Sequence, residues 1–276
     1  MPVDLSFQRN LERVQRIISR RQNDSRIVAM ANRVAENTRE NPGEKPVVLF
    51  NASTRLSGLG LNAGFQLLTG WALQLSGVPV VHFVCQRGLS RCVHGTDRDN
   101  PYRLPPCDEC FRQSRINTTR ANVRNLVMTD DTTLRQIIAD IDFKSLTQFV
   151  FNGTPLGELV LPSLRWVLRR HNLVEDDKTL FVLRVYIISA SRVIEQFSSL
   201  IDDVQPQSVV VFNGQFYPEA AARWVAHRKG LPVISHEVGL MPFTGYFTPG
   251  EATAYPIDIP EGYELNSAQN ARLDAY

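Results

Sequence analysis

The sequence predicts an α/β fold with a mainly parallel sheet wound on both faces. Two stretches carry the prediction, because each reads as strand, turn, helix, strand. In residues 207–239, Ser208 to Phe212 is a short Val-rich run of the kind that forms a strand buried on both faces. Asn213-Gly214 ends it with turn chemistry. From Tyr217 to Lys229, Ala220, Ala221, Trp224 and Val225 recur at helical spacing, with Pro218 in the first turn and Glu219 near the positive end of the helix dipole. Gly230 stops this helix, and Leu231 to Ile234 is a second apolar strand leading into Ser235-His236-Glu237-Val238-Gly239.

The second stretch lies upstream. Pro46 to Phe50 is a strand, Gly58-Leu59-Gly60-Leu61-Asn62-Ala63-Gly64 with Ser57 before it is a glycine-rich turn, Phe65 to Leu75 is a helix, and Val78 to Val84 is a strand. Two right-handed βαβ units of one parallel sheet make a Rossmann-like, doubly wound domain. Strands are expected near 47–51, 79–84, 208–213 and 231–235, with Val209, Val211, Val233 and Ile234 buried. Ligands of such sheets bind outside the carboxyl ends of the strands, where both Asn213-Gly214 and His236-Glu237 fall.

The remaining elements follow in order. Residues 5 to 40 read as a long helix, with Leu5, Leu11, Val14, Ile17, Ile18, Val28, Ala31 and Val34 as its apolar stripe. Arg9, Arg13, Arg16, Arg20 and Arg21 crowd the other face. Two readings stay open: a solvated face on a docked helix, or an interfacial helix in peripheral contact with anionic lipid. Glu12, Asp24 and Glu36 dilute the basic face and favour the first. Asn41-Pro42-Gly43 ends this helical segment, which we set at residues 1–45, before a domain of residues 46–276. Leu126 to Met128 is a short strand, Asp131-Thr132 caps a helix from Thr133 to Ile141, Leu164 to Arg170 is helical, and an amphipathic helix runs from Asp177 to Asp203. Phe151-Asn152-Gly153 repeats Phe212-Asn213-Gly214 by chance. After Gly239, prolines and glycines exclude a long helix, and Phe243, Tyr246, Phe247 and Tyr255 suggest a packed loop over the sheet edge. The end at Asn270 to Tyr276 reads as mid-helix, so we expect the chain to be the amino-terminal part of something longer.

The 276 residues are 43% hydrophobic and 21% charged, enough for a core without disulfides. A net charge of +2 gives no footprint for nucleic acid. Residues 1–20 lack a signal-peptide core and no apolar run approaches 18 residues, so the expected location is cytoplasmic, peripheral at the inner membrane face if the first helix touches lipid.

Four cysteines fall within 26 residues as Cys85-x6-Cys92-x14-Cys107-x2-Cys110. They sit in a segment, 85–124, that interrupts the α/β pattern. Pro105-Pro106, Gly88 and Gly95 suit knuckle-like turns around a metal, and C-x2-C is a usual zinc half-site. The x6 spacing of the first pair is wider than usual. The expectation is structural zinc on Cys85, Cys92, Cys107 and Cys110, with an iron–sulfur cluster, disulfides or no cofactor as alternatives. His94 either replaces a ligand or stands outside the site. Arg87, Arg91, Arg98, Arg103, Arg112, Arg115 and Arg120 make the segment a basic knob that faces phosphate or a partner. The glycine-rich turn departs from a dinucleotide fingerprint, since its glycines are spaced G-x-G-x-x-x-G, and strand two ends in Cys85 rather than an acid. We therefore exclude NAD and FAD. The helix start at Leu61-Asn62 either holds a phosphate or sugar or is only a tight turn.

A strand, then Phe212-Asn213-Gly214, Glu219, a helix, a second strand, His236-Glu237-x-Gly239 and the Ala252-Thr253-Ala254-Tyr255 loop together resemble bacterial glycosyltransferase-like proteins of capsule and surface polysaccharide synthesis. These are similar to GT-B enzymes, with two Rossmann-like domains facing a cleft. The resemblance covers about residues 46–276, including the cysteine segment. It implies an amino-terminal, acceptor-side domain whose nucleotide-sugar-binding partner domain is missing, leaving this chain alone inactive. The implied reaction moves a sugar from a nucleotide sugar to a glycan or lipid-linked acceptor without a catalytic metal. Glu237 or His236 would be the base, and Gly58, Gly60, Asn62, Asn213, Gly214 and Glu219 the substrate-binding residues. The alternative is a non-catalytic binding or scaffold module that holds a partner through a zinc knob. His236-Glu237 and Asn213-Gly214 also have plain structural readings, as loop anchors and as a turn.

Overall fold

A computed structural model describes residues 5–39, 41–52, 58–254, 260 and 262–275. Ser57, Tyr255 and Tyr276 lie outside the described residues, as do the side chains of Leu5, Arg9 and Leu11. Helix α1 (Leu5–Asn37) precedes strand β1 (Val47–Asn51), α2 (Leu61–Leu75), β2 (Val80–Cys85), α3 (Cys107–Asn117) and β3 (Asn122–Leu126). Then come α4 (Thr132–Ile137), α5 (Phe143–Thr147), α6 (Leu156–Leu168), α7 (Asp177–Val204), β4 (Ser208–Phe212), α8 (Tyr217–Arg228), β5 (Val233–Val238), β6 (Gly245–Thr248) and α9 (Ser267–Asp274). The strands form one sheet in the order β3-β2-β1-β4-β5-β6, parallel from β3 to β5, with β6 antiparallel at the edge. The chain works outward from β1 to β3 and then returns to place β4 on the other side of β1. The direction of winding thus reverses between β1 and β4, the position where doubly wound sheets open a crevice.

Strand alternation explains why helices cover both faces. Val48 and Phe50 of β1, Val81 and Phe83 of β2, and Val209 and Val211 of β4 join Leu183, Ile187, Val193 and Phe197 of α7 and Ala221, Ala222 and Val225 of α8 in one large core. Phe50, Phe83 and Phe197 meet with ring centroids 5.3–5.6 Å apart. The intervening residues Val47, Leu49, Val80 and Val210 point the other way and form a smaller cluster with Leu73 of α2. Val209, Val211 and Val233 are buried as expected, whereas Ile234, on the side of the smaller cluster, is only half-buried.

Several expectations change. Residues 85–124 do not interrupt the α/β pattern: they are the β2–β3 crossover, a long loop followed by α3. Helix α3 escapes recognition because its sequence, CDECFRQSRIN, lacks an apolar stripe; it docks on α1 through Arg20–Glu109 at 3.0 Å and Arg112–Asp24 at 2.8 Å. The basic knob is largely neutralised. Arg87 pairs with Asp108, Arg98 with Asp99, Arg103 with Asp97 and Arg112 with Asp24, while buried Arg91 donates to the carbonyls of Ser90, Pro101 and Tyr102. Strand β5 runs on to Val238, because residues 245–248 pair with it as β6 instead of lying across the edge as a loop. Strand β3 comes earlier than Leu126–Met128. In α1, Ile27, Ala31 and Val34 are buried, while Val14, Ile17 and Ile18 are 41–51% exposed. No helix among the described residues is long and apolar enough to cross a membrane.

Candidate functional site

Because β1, β2, β4 and β5 are parallel, their last residues share one rim of the sheet. Helix α2 begins at Leu61, earlier than the glycine-rich turn implies, and this puts Asn62 in its first turn. There Asn62 Nδ2 donates to Glu237 Oε1 at 2.8 Å, and the Val238 amide donates to the same oxygen at 2.8 Å. Among the described residues no donor reaches Glu237 Oε2. Glu237 is half-buried, opposite Tyr246 of β6. Gly60 is the exposed N-cap of α2, and Gly58 lies before it with φ +74°. A cleft of about 980 Å³ separates this turn from α1, with Gly58 and Leu59 on one wall and Arg13, Arg16 and Arg20 on the other.

The β4 end is more tightly committed. Asn213 (φ +56°) and Gly214 (φ +82°) form the turn, and Asn213 Oδ1 accepts from the amides of Gln215 at 2.8 Å and Phe216 at 3.3 Å, leading into α8. The Asn213 amide donates to the His236 carbonyl at 2.7 Å, and its carbonyl accepts from Ala252 at 3.0 Å. A Cβ on Gly214 would lie 2.8 Å from Ser235 Oγ and 2.9 Å from Arg223 Cδ, so only glycine fits. His236 is fully buried, its ring 5.8 Å from Phe212 and 5.7 Å from Phe247. Glu219 is also fully buried in the first turn of α8. The rim therefore brings Gly58, Gly60, Asn62 and Glu237 together at an accessible edge. Asn213 and Gly214 act there as framework, and His236 and Glu219 are withdrawn from solvent. Asn152 and Gly153 repeat the left-handed pair (φ +49° and +74°), but in an isolated turn closed by Phe151 and Thr154.

Cys85, Cys92, Cys107 and Cys110 line one small cavity together with Ala52, Arg87, Leu89, Pro105, Pro106 and Phe111. The first two come from the end of β2 and the loop after it, the second two from the first turn of α3. All four are free thiols. The Gly95 amide donates to Cys92 Sγ at 3.2 Å, and the amides of Leu89, Gly88 and Arg87 favour a thiolate at Cys85. Burial opposes them and raises Cys85; it also pushes Cys92 up to about 12, helped by the neighbouring thiols. Cys107 is raised by burial against the opposing pull of Arg87 and Arg91. Among the described residues no group of three or more His, Cys, Asp or Glu side chains is closed around a common point as a metal site. His94 lies apart from the thiols, its ring 5.6–6.4 Å from those of Trp166, Phe212 and Phe216, and burial lowers its pKa.

Three polar features of the rim escaped the sequence reading. Asn51 closes β1 with its Nδ2 3.0 Å from His82 Nδ1, both residues buried. Its signal was present: Phe50-Asn51 ends β1 as Phe212-Asn213 ends β4. Glu251 accepts from Gln215 at 2.8 Å and Arg223 at 3.0 Å, anchoring the loop after β6; burial alone would raise its pKa, but these bonds bring it below the usual value. Gln113 is fully buried beside Gly58.

No family model matches the chain, and no curated protein matches it at a significant level. Among solved structures, the zinc-inhibited form of teicoplanin deacetylase Orf2 is similar at 17% identity over 81% of this chain and 76% of that one, with a TM-score of 0.32. AlbC, a cyclodipeptide synthase from Streptomyces noursei, is similar at 12% identity over 65% of this chain and 88% of that one, with a TM-score of 0.34. At these TM-scores neither likeness carries an argument about fold or activity.

Proposed function

We propose that this chain is the acceptor-side part of a glycosyltransferase that moves a sugar from a nucleotide sugar to a glycan or lipid-linked acceptor in surface polysaccharide synthesis. The observation that carries the reading is the Asn62–Glu237 pair: a half-buried carboxylate at the sheet rim, held through Oε1 by Asn62 and the Val238 amide. In the reaction, Glu237 Oε2 takes the acceptor hydroxyl proton and the acceptor oxygen bonds to the sugar C1. The bond from C1 to the donor phosphate oxygen breaks, and the nucleotide leaves with its electron pair. The cleft beside Gly58 and Leu59 offers room for the acceptor; Glu12 and Asp24 line it with the arginines, of which Arg16 pairs with Glu12 and Arg20 with Glu109. Buried His236 serves to hold Phe212 and Phe247 rather than to transfer a proton.

Zinc on the four cysteines is part of this reading, as a structural ion. The four side chains share one small cavity, and an iron–sulfur cluster stays the alternative occupant. The amide donors to Cys85 and Cys92 suit thiolates, the ligands through which these cysteines would hold a structural zinc. A separate partner-holding knob is less supported, because the cysteines pack against Ala52 at the end of β1 and the arginines around them are paired.

The test is Glu237→Gln in the whole protein that contains this chain, assayed with nucleotide sugars and lipid-linked acceptors. The expected loss is about 10²–10⁴-fold in turnover with unchanged melting. Wild-type turnover in the variant would sink the catalytic reading. Residues 1–276 alone are expected to show no transfer, and robust turnover by them would contradict the acceptor-side assignment.

A further inference from the structure

The hairpin at the edge of the sheet carries an apolar tip. Strand β5 ends at Val238 and β6 begins at Gly245, and the loop between them holds Leu240, Met241 and Phe243, exposed by 92%, 68% and 85%. This loop is closed at its base, so the tip is held out rather than folded back. The Gly239 amide donates to the Thr244 carbonyl at 2.7 Å, and the Thr244 amide and hydroxyl donate to the Met241 carbonyl at 3.3 and 2.7 Å. Phe243 sits at φ +57°, a left-handed angle that is unfavourable for a bulky residue and that glycine adopts freely. An aromatic ring kept in solvent on a strained backbone points to a contact outside the chain.

The same end of the molecule bears a second apolar feature. Arg20 of α1 meets Glu109 in the first turn of α3, and Asp24 meets Arg112 further along. Helix α3 starts on the side where β2 ends and returns to the side where β3 starts, so the part of α1 before Arg20 reaches beyond the rim, on the side of the tip. Residues 12–19 apart from the cleft wall are exposed there, with Val14, Ile17 and Ile18 on one side of the helix. Gly245 lies against the Phe65 ring of α2, so the tip, the start of α2, the cleft and α1 follow one another across the rim. From Glu12 to Arg21 the helix carries four arginines and one acid; Arg16 pairs with Glu12 and Arg20 with Glu109, which leaves the exposed charges of Arg13 and Arg21.

We propose that this end docks on an anionic lipid bilayer, the β5–β6 tip inserting at the boundary of headgroups and acyl chains and Arg13 and Arg21 meeting the headgroups. Two separate apolar projections suit a fluid layer, which yields to each, better than a protein partner, which would need a matching hollow for both. A bilayer resting on both spans the mouth of the cleft. The docking stands whether or not Glu237 transfers a proton.

The experiment is flotation of the full chain with vesicles, made of phosphatidylcholine alone or of phosphatidylcholine and phosphatidylglycerol in equal parts. Binding to the mixed vesicles is expected, weaker on phosphatidylcholine alone and weaker as salt rises. The double variant Leu240→Ser, Phe243→Gly should bind the mixed vesicles about tenfold or more weakly, since it removes two apolar side chains from the inserted tip. Its melting temperature should be unchanged or higher, because both side chains are exposed and glycine relieves the left-handed angle. Arg13→Gln with Arg21→Gln should instead reduce the preference for the anionic vesicles and the response to salt. Wild type that floats with neither vesicle overturns the proposal, and so does a folded tip variant that binds as wild type does. Sedimentation velocity without lipid covers the other occupant: self-association of wild type that the tip variant abolishes would make the tip an interface between copies, and would overturn the bilayer assignment.

Discussion

Asn62 and Glu237 are 175 residues apart in the chain and 2.8 Å apart in space, joined across the start of α2 and the end of β5. Asn62 does not take the proton; it aims the carboxylate. Asn62→Ala should therefore lower turnover by about 10–100-fold, as expected for loss of one hydrogen bond to a charged group, with little change in melting temperature. Kinetics on the whole protein check this. Equal turnover would mean that Asn62 only caps the helix.

Much of this site was legible in the sequence, and the part that was not has a physical reason. The parallel strands announced themselves through Val-rich runs, and the parallel arrangement alone predicts that Gly58, Asn62, Asn213 and Glu237 share a rim. Burial did not announce itself. Glu219 and His236 look like functional polar residues in a string of letters, yet both face inward because α8 packs on α6 and α7 and because β5 extends two residues past His236 under cover of β6. Helix α3 was invisible because its contacts are ion pairs to α1 rather than an apolar stripe, and Gln113 was hidden with it.

Arg192, fully buried in α7, pairs with Asp131 and donates to the Gly88 carbonyl and to Thr129 Oγ1. Arg192→Met would leave a largely buried carboxylate and a buried carbonyl without their donor. The expected cost is about 3–5 kcal/mol in urea unfolding. Because Gly88 is three residues from Cys85, zinc retention should weaken in parallel. A cost below about 1 kcal/mol would show that this loop is held by other contacts.

Gly214→Ala combines an unfavourable backbone angle with a Cβ placed 2.8 Å from Ser235 Oγ. The expected destabilisation is about 1–3 kcal/mol. Gly230→Ala, also at positive φ but with nothing within 4 Å of the new Cβ, isolates the backbone share. Thermal melts of the two variants should rank Gly214→Ala as the more damaging.

Asp176 caps α7 by accepting from the Thr179 amide and hydroxyl at 2.8 Å, and it pairs with Arg170 at 2.8 Å. The Arg170 bond, then the two from Thr179, hold its carboxyl down at about 2, against an ordinary 3.8. A folded-state value below the unfolded one stabilises the protein at pH above about 4 and loses that contribution as pH falls through about 2. Asp176→Asn keeps a cap acceptor but no titrating charge. The difference in melting temperature between wild type and variant should be constant above pH 4 and shrink below it; a difference flat down to pH 2 would remove Asp176 from acid sensitivity.

Metal-free protein should keep Cys92 as a thiol, since burial places it at about 12. Alkylation at pH 8 should therefore leave Cys92 unmodified on the timescale that modifies an unhindered cysteine, because the thiolate is the nucleophile. Mass spectrometry of peptides reads this directly. Rapid labelling of Cys92 in folded, metal-free protein would show that the cavity opens.

The sheet also determines what the molecule avoids. At one margin, Asn122, Arg124 and Asn125 of β3 are exposed, and a charged, amide-rich border is poorly suited to pairing with a stranger's backbone. At the other, β6 is only four residues long and Pro249, which has no amide hydrogen, follows it directly. Neither margin offers a long run of free donors and acceptors, so the open sheet is guarded against growing into a fibre by borrowing strands from neighbouring copies.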